Sequence, residues 1–199
     1  VSLQEYYNKL KADGMSQEEI ITKLGDKSLA DQLESTSNAE KWQATIKSLK
    51  DISPDYLTIH AAGGLEMMKA AKKAQSETDK KLKILAVTIL TSLTNKDLKQ
   101  MGSNANIETQ VKKLAQTAKL AKIHGIVCSA HEIKKVKQVS KNFEIVVPGI
   151  RLTNKVQDQK RVMSPKQALK QGATHLVIGR DLTKGNPKTN IKKVLNALI

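Results

Sequence analysis

The sequence predicts an α/β fold of the TIM (β/α)8-barrel type, on three observations. From residue 55 onward, short apolar runs rich in β-branched residues alternate with amphipathic, lysine-rich stretches. The apolar runs are continuous rather than alternating, the pattern of parallel strands with both sheet faces covered. Each run ends in polar or glycine-rich sequence, which implies one shared site rimmed by successive strand ends, as in a βα barrel. Five strands are clear where a closed barrel has eight, so either strands hide in weak pattern at the N-terminal part, or that part is incomplete or rearranged, or it does something else.

The elements follow in order. Residues 2–12, 16–24 and 38–49 read as amphipathic helices, and Gly25 is placed to stop the second as a C′ residue. No strand pattern appears here. The chain is therefore read as a single domain over 1–199, with an atypical, mainly helical segment at 1–54 and βα barrel repeats at 55–199. The strands run from Tyr56 to His60, Ile84 to Leu90, Gly125 to Ser129, Glu144 to Pro148 and His175 to Gly179. Helices are expected over 64–76, 107–121, 131–140, 164–171 and 188–198. Ser129, before Ala130-His131-Glu132, fits an N-cap with an acidic N3 residue. Ser164-Pro165 fits a capping Ser followed by Pro at the first helical position.

Composition narrows the class. The chain has 199 residues, 39% hydrophobic and 27% charged, which suits a soluble domain with a real core. No apolar run approaches the roughly 18 residues a membrane span needs. The opening Val1-Ser2-Leu3-Gln4-Glu5 has no signal-peptide pattern, and a first residue other than Met predicts a trimmed chain. The lone Cys128 excludes an internal disulfide, fits a reducing, cytoplasmic setting, and sits in an apolar run as a structural thiol. The net charge of +15 is spread over polar helix faces such as Lys69, Lys72 and Lys73. With Tyr6, Tyr7, Trp42, Tyr56 and Phe143 as the aromatics, stacking platforms are scarce, so no dedicated nucleic-acid binding is expected.

Of 34 basic residues only three are arginine: Arg151, Arg161 and Arg180. Lysine is a hydrated point charge, whereas arginine presents a planar fork suited to phosphate or carboxylate. Gly179-Arg180 ends the last strand, where backbone N–H groups and a guanidinium can grip an anion; the bland alternative pairs Arg180 with a carboxylate such as Asp181. Arg151 falls at the end of the preceding strand. The polar stretch from Arg151 to Ser164 has the length of a lid or binding loop, or else is a solvated surface loop, and Arg161 is read as structural within it.

These stretches also resemble a known family. "TIHAAGG" (58–64), "VTILTSL" (87–93), "GIVCSAHE" (125–132), "VVPGIR" (146–151) and "DQKRVMSPKQALKQGATHLVIGR" (158–180) are similar, in order and spacing, to the C-terminal two-thirds of bacterial orotidine 5′-monophosphate decarboxylases. The resemblance covers about residues 38–199. It implies a dimeric barrel of the ribulose-phosphate-binding kind that makes UMP from orotidine monophosphate in pyrimidine synthesis, with no metal and no cofactor. It implies substrate binding by Thr91, Arg151, Gln159, Gly179 and Arg180, the last two as the phosphate pair; His60 matches a common family residue and is read as structural, because the chemistry needs no imidazole there. It also implies an Asp-x-Lys-x-x-Asp motif, whose lysine protonates the carbanion and whose carboxylate crowds the substrate carboxylate. That motif is not matched. Setting Asn38 against the family's Asn puts Gln32 at the lysine and Ser35 at the last Asp; Asp26, Lys27 and Asp31 are weak candidates, with the lysine one position early. Two alternatives stand beside a decarboxylase: a catalytically silent relative that binds a nucleoside monophosphate or sugar phosphate, and a partial barrel needing a partner chain.

Overall fold

The structure is a computed structural model, which describes residues 3–25, 40–49, 51–152 and 161–198. The chain divides into two compact units, one of residues 1–55 with 66–82, the other of 56–65 with 83–199.

In the first unit, α1 (Leu3–Ala12) and α2 (Gln17–Leu24) form a helical hairpin. Its small core is Tyr7, Leu10 and Ile20, with Met15, Ile21 and Leu24 packed against it. Local chemistry sets both ends of α2. Ser16 accepts from the Glu19 N–H while the Glu19 carboxylate accepts from the Ser16 N–H, a complete capping box. Gly25 adopts φ 70° and donates to the Ile21 carbonyl, the expected C′ stop. A third helix, α3, spans 40–48. Helix α4 (Gly64–Thr78), which belongs to this unit from Glu66 onward, buries Met68, Ala70, Ala71 and Ala74, and the buried Gln75 amide donates to the Asp79 carbonyl at 2.8 Å.

Among the described residues the second unit is built on five parallel strands: β1 (Tyr56–His60), β2 (Lys83–Val87), β3 (Gly125–Val127), β4 (Glu144–Val147) and β5 (His175–Leu176). Their order in the sheet is their order in the chain. The helices between and after them are α5 (Asn95–Gln100), α6 (Ile107–Leu120), α7 (Ile133–Val139), α8 (Pro165–Gln171), α9 (Arg180–Thr183) and α10 (Pro187–Asn196). The strands are shorter than the sequence suggests, yet their main-chain bonding continues past them: Thr88 donates to Val127 at 3.0 Å, Cys128 to Val146 at 3.2 Å and Val177 to Val147 at 2.9 Å. Ser164 caps α8 with Pro165 at its start, as expected. Helices α5 and α9 were not foreseen, being too short to show a helical period.

Two expectations need correction. The strands are not covered alike on both faces. Ile84, Ala86, Ile126, Ile145 and Val147 are buried on one face; on the other, Leu85 and Gly125 of the inner strands are buried too, whereas Thr58 and His60 of β1 and His175 and Val177 at β5 are exposed. The exposed positions of β1 and β5 share the face on which the Tyr56 and His175 rings meet, the concave side of the sheet. The capping box at Ser129 does not form either. A 3-10 turn (Ala130–Glu132) precedes α7, Ser129 caps the His131 N–H, and the Glu132 carboxylate is engaged elsewhere.

The sheet curls strongly. In a flat sheet β1 and β5 would lie about 19 Å apart, at roughly 4.8 Å per strand. Instead the rings of Tyr56 on β1 and His175 on β5 meet edge-on with centroids 5.5 Å apart. That is the curvature of a βα barrel, but among the described residues β1 and β5 are not paired and the sheet is open.

Candidate site at the carboxyl ends of the strands

The turns that follow the strands place the residues singled out above. After β2, the Thr88 hydroxyl donates to the Val127 carbonyl at 2.9 Å, tying the strand end to β3. A tight turn then runs from Leu90 to Leu93, closed by a 3.1 Å bond from the Leu93 N–H to the Leu90 carbonyl. Thr91 sits inside this turn with 8% of its surface exposed. Thr94 caps α5 in a capping box with Asp97.

Arg161 reaches the same turn from the loop after β4. Its Nη2 donates to the Leu90 carbonyl at 2.8 Å, and its Nη1 to the Glu132 carboxylate at 2.6 Å. Glu132, 2% exposed, comes from the turn after β3. Burial pushes the Glu132 carboxyl above the usual carboxylate range, and the Arg161 charge and hydrogen bond only partly offset it. Beneath them, burial with the Glu132 charge raises the Cys128 thiol to about 12, with Arg161 opposing, so Cys128 is a structural thiol.

Arg151 and the loop that follows form a second group. Two main-chain bonds zip the loop's stems together, from Arg151 N–H to Met163 at 3.1 Å and from Met163 N–H to Gly149 at 3.3 Å. The Arg151 side chain is 6% exposed. Its Nη1 donates to the Ile150 carbonyl at 2.9 Å, and its Nε lies 3.8 Å from Asp181. The other Asp181 oxygen accepts from the Leu152 N–H at 2.7 Å. The carboxylate next to Arg180 is thus directed to Arg151 and Leu152. Gly179 precedes α9, its Cβ position open to space, and Arg180 begins that short helix with an exposed side chain. Gln159, Asp26, Lys27 and Asp31 lie outside the described residues.

Sequence reasoning missed a polar layer at the other end of the concave face. The Tyr56 hydroxyl donates to Glu144 Oε2 at 2.6 Å, Lys83 pairs with Glu144 Oε1, and His175 Nε2 lies 3.4 Å from the Tyr56 hydroxyl. Burial would raise the Glu144 carboxyl, but hydrogen bonds from Lys83 and Tyr56 and the charges of Lys83 and His175 lower it overall. The available signal was that Tyr56, Lys83, Glu144 and His175 each open a strand. Among the described residues no cluster of three His, Cys, Asp or Glu could hold a metal, and no helix is long and apolar enough to cross a membrane.

A curled parallel βα sheet whose polar turns and arginines gather at the strand carboxyl ends defines a protein of the βα-barrel class. A profile of the Orotidine 5'-phosphate decarboxylase / HUMPS family matches residues 36–194, and the chain belongs to that family. It is 40% identical over 156 residues to an orotidine 5'-phosphate decarboxylase of Idiomarina loihiensis, covering 77% of this chain and 68% of the relative. Identity and coverage are the same for the enzyme of that name from Wolbachia pipientis subsp. Culex pipiens. Among solved structures, the crystal structure of orotidine 5'-phosphate decarboxylase from Lactobacillus acidophilus superposes with a TM-score of 0.67 at 29% identity, covering 80% of this chain and 70% of that one.

Proposed function

We propose that this chain binds orotidine 5′-monophosphate at the carboxyl ends of its strands and converts it to UMP and CO2 without metal or cofactor. The observation that carries this is the family match across 36–194, which takes in every strand and the turns bearing Thr91, Arg151 and Arg180. Gly179 and Arg180 would hold the 5′-phosphate, since open backbone and a guanidinium beside it suit a dianion. Thr91 would lie near the pyrimidine, Gln159 would add a substrate contact as the family resemblance implies, and Arg151, held by Asp181, would add positive potential at the rim. Binding energy from the phosphate can then serve the reacting carbon at a distance. The carboxylate–ammonium alternation that decarboxylation needs is sought at Asp26, Lys27 and Asp31. A homodimer goes with this reading, as the family resemblance implies, and a cytoplasmic location, which the lone Cys128 fits.

Loss of orotidine monophosphate absorbance with purified protein tests the activity. Arg180→Ala is expected to weaken UMP binding roughly 100-fold, about the 2.7 kcal/mol of a charge-assisted phosphate contact. No turnover at high enzyme concentration refutes the decarboxylase; UMP binding without turnover assigns the silent relative.

A further inference from the structure

We propose that Arg161, with Glu132 behind it, is a positioning residue that clamps the turn carrying Thr91. Its consequence for ligand binding rests on the nucleotide-site reading above; the clamp itself is read from geometry. One guanidinium joins the ends of three strands. Nη2 bonds the Leu90 carbonyl at 2.8 Å and approaches Ile89 at 3.5 Å, while Nη1 bonds Glu132 at 2.6 Å. The Leu90 carbonyl is the group that also closes the Leu90–Leu93 turn, so it holds two donors at once. Thr91 is the next residue, and moving the Leu90 carbonyl must move it. Glu132 is itself placed by its N–H bond to the Ser129 carbonyl at 3.1 Å.

The arrangement is poorly suited to stability alone. The second arm of the pair does not close: Glu132 Oε2 and Arg161 Nε are both buried and make no hydrogen bond among the described residues. A buried pair of this kind contributes little net stability compared with apolar packing, and its best-attested use is to fix geometry. Lysine could not replace Arg161, because a single ammonium lacks the planar fork that reaches a carboxylate and a carbonyl together.

Two measurements decide it. The first is amide hydrogen exchange across 89–94 in the wild type, Arg161→Ala and Arg161→Lys. Exchange at least roughly tenfold faster in that segment in both variants, with α6 and α10 unchanged, is expected of a local opening. Unchanged exchange, or exchange restored by lysine, overturns the clamp, and Arg161→Lys carries the comparison should the alanine variant not fold. The second is a double-mutant cycle of UMP binding with Thr91→Ala. Arg161→Ala should weaken binding roughly tenfold alone and less than about twofold when Thr91 is already alanine. Equal losses in both backgrounds overturn action through Thr91. A wild type that binds no UMP sinks the nucleotide reading, while the exchange measurement still decides the clamp.

Discussion

Replacing Tyr56 with Phe removes one hydroxyl and tests the curl of the sheet. That hydroxyl, on β1, donates at 2.6 Å to Glu144 on β4, a carboxylate one quarter exposed and also paired with Lys83. A hydrogen bond to a charged group contributes about 1.5–3 kcal/mol. Lys83 remains after the substitution and water can reach the exposed part of Glu144, so the expected loss is nearer to about 1 kcal/mol. In urea unfolding followed by circular dichroism, with a slope of about 2 kcal/mol/M, that lowers the midpoint by about 0.5 M. The pH dependence follows from the sign of the Glu144 shift. Burial acts to raise its pKa, but Lys83 and Tyr56 lower it overall. A carboxyl whose folded pKa lies below its unfolded value of about 4.3 contributes fully above that pH, and the contribution is lost as pH falls through the folded value. The difference between wild type and Tyr56→Phe should therefore be present at pH 7 and shrink as the pH falls below the usual carboxylate range. An unchanged midpoint at pH 7, or a difference that does not diminish as Glu144 is protonated, would refute the contact between β1 and β4.

Two further outcomes are expected. At Gly125 on β3, an added methyl would meet the Glu144 backbone carbonyl well inside van der Waals contact and Leu85 Cδ2 at 2.7 Å. A carbonyl in the β3–β4 ladder cannot swing away as a side chain can, so Gly125→Ala should cost about 2–3 kcal/mol and lower the melting temperature by about 5–10 °C; a fall under about 2 °C would show that the strands separate freely. Cys128 is 1% exposed with its thiol raised to about 12, so a thiol reagent at pH 8 should react only once the chain is unfolded in urea. Reaction of the native protein at the rate of a free thiol would contradict this.

What local sequence could show and what it could not divide along a physical line. Tyr56–His60 and Glu144–Val147 were legible because a run of β-branched and apolar residues is itself the cause of a strand. Gly25 and Ser164 were legible because a cap is satisfied within a few residues of itself. Order, type and direction of the elements, and with them the family, come from such short-range patterns. The partners of the charged groups do not. Glu132 reads locally as a capping acid, yet it meets Arg161, 29 residues away; Asp181 reads as a neighbour for Arg180, yet accepts from Leu152, also 29 residues away; Tyr56 and Glu144 are 88 residues apart. Those pairings depend on how tightly the sheet curls and where the loop after β4 returns. Both are set by the packing of the whole unit, because a side chain selects a partner by distance in space and carries no local mark of which distant strand will bring that partner near.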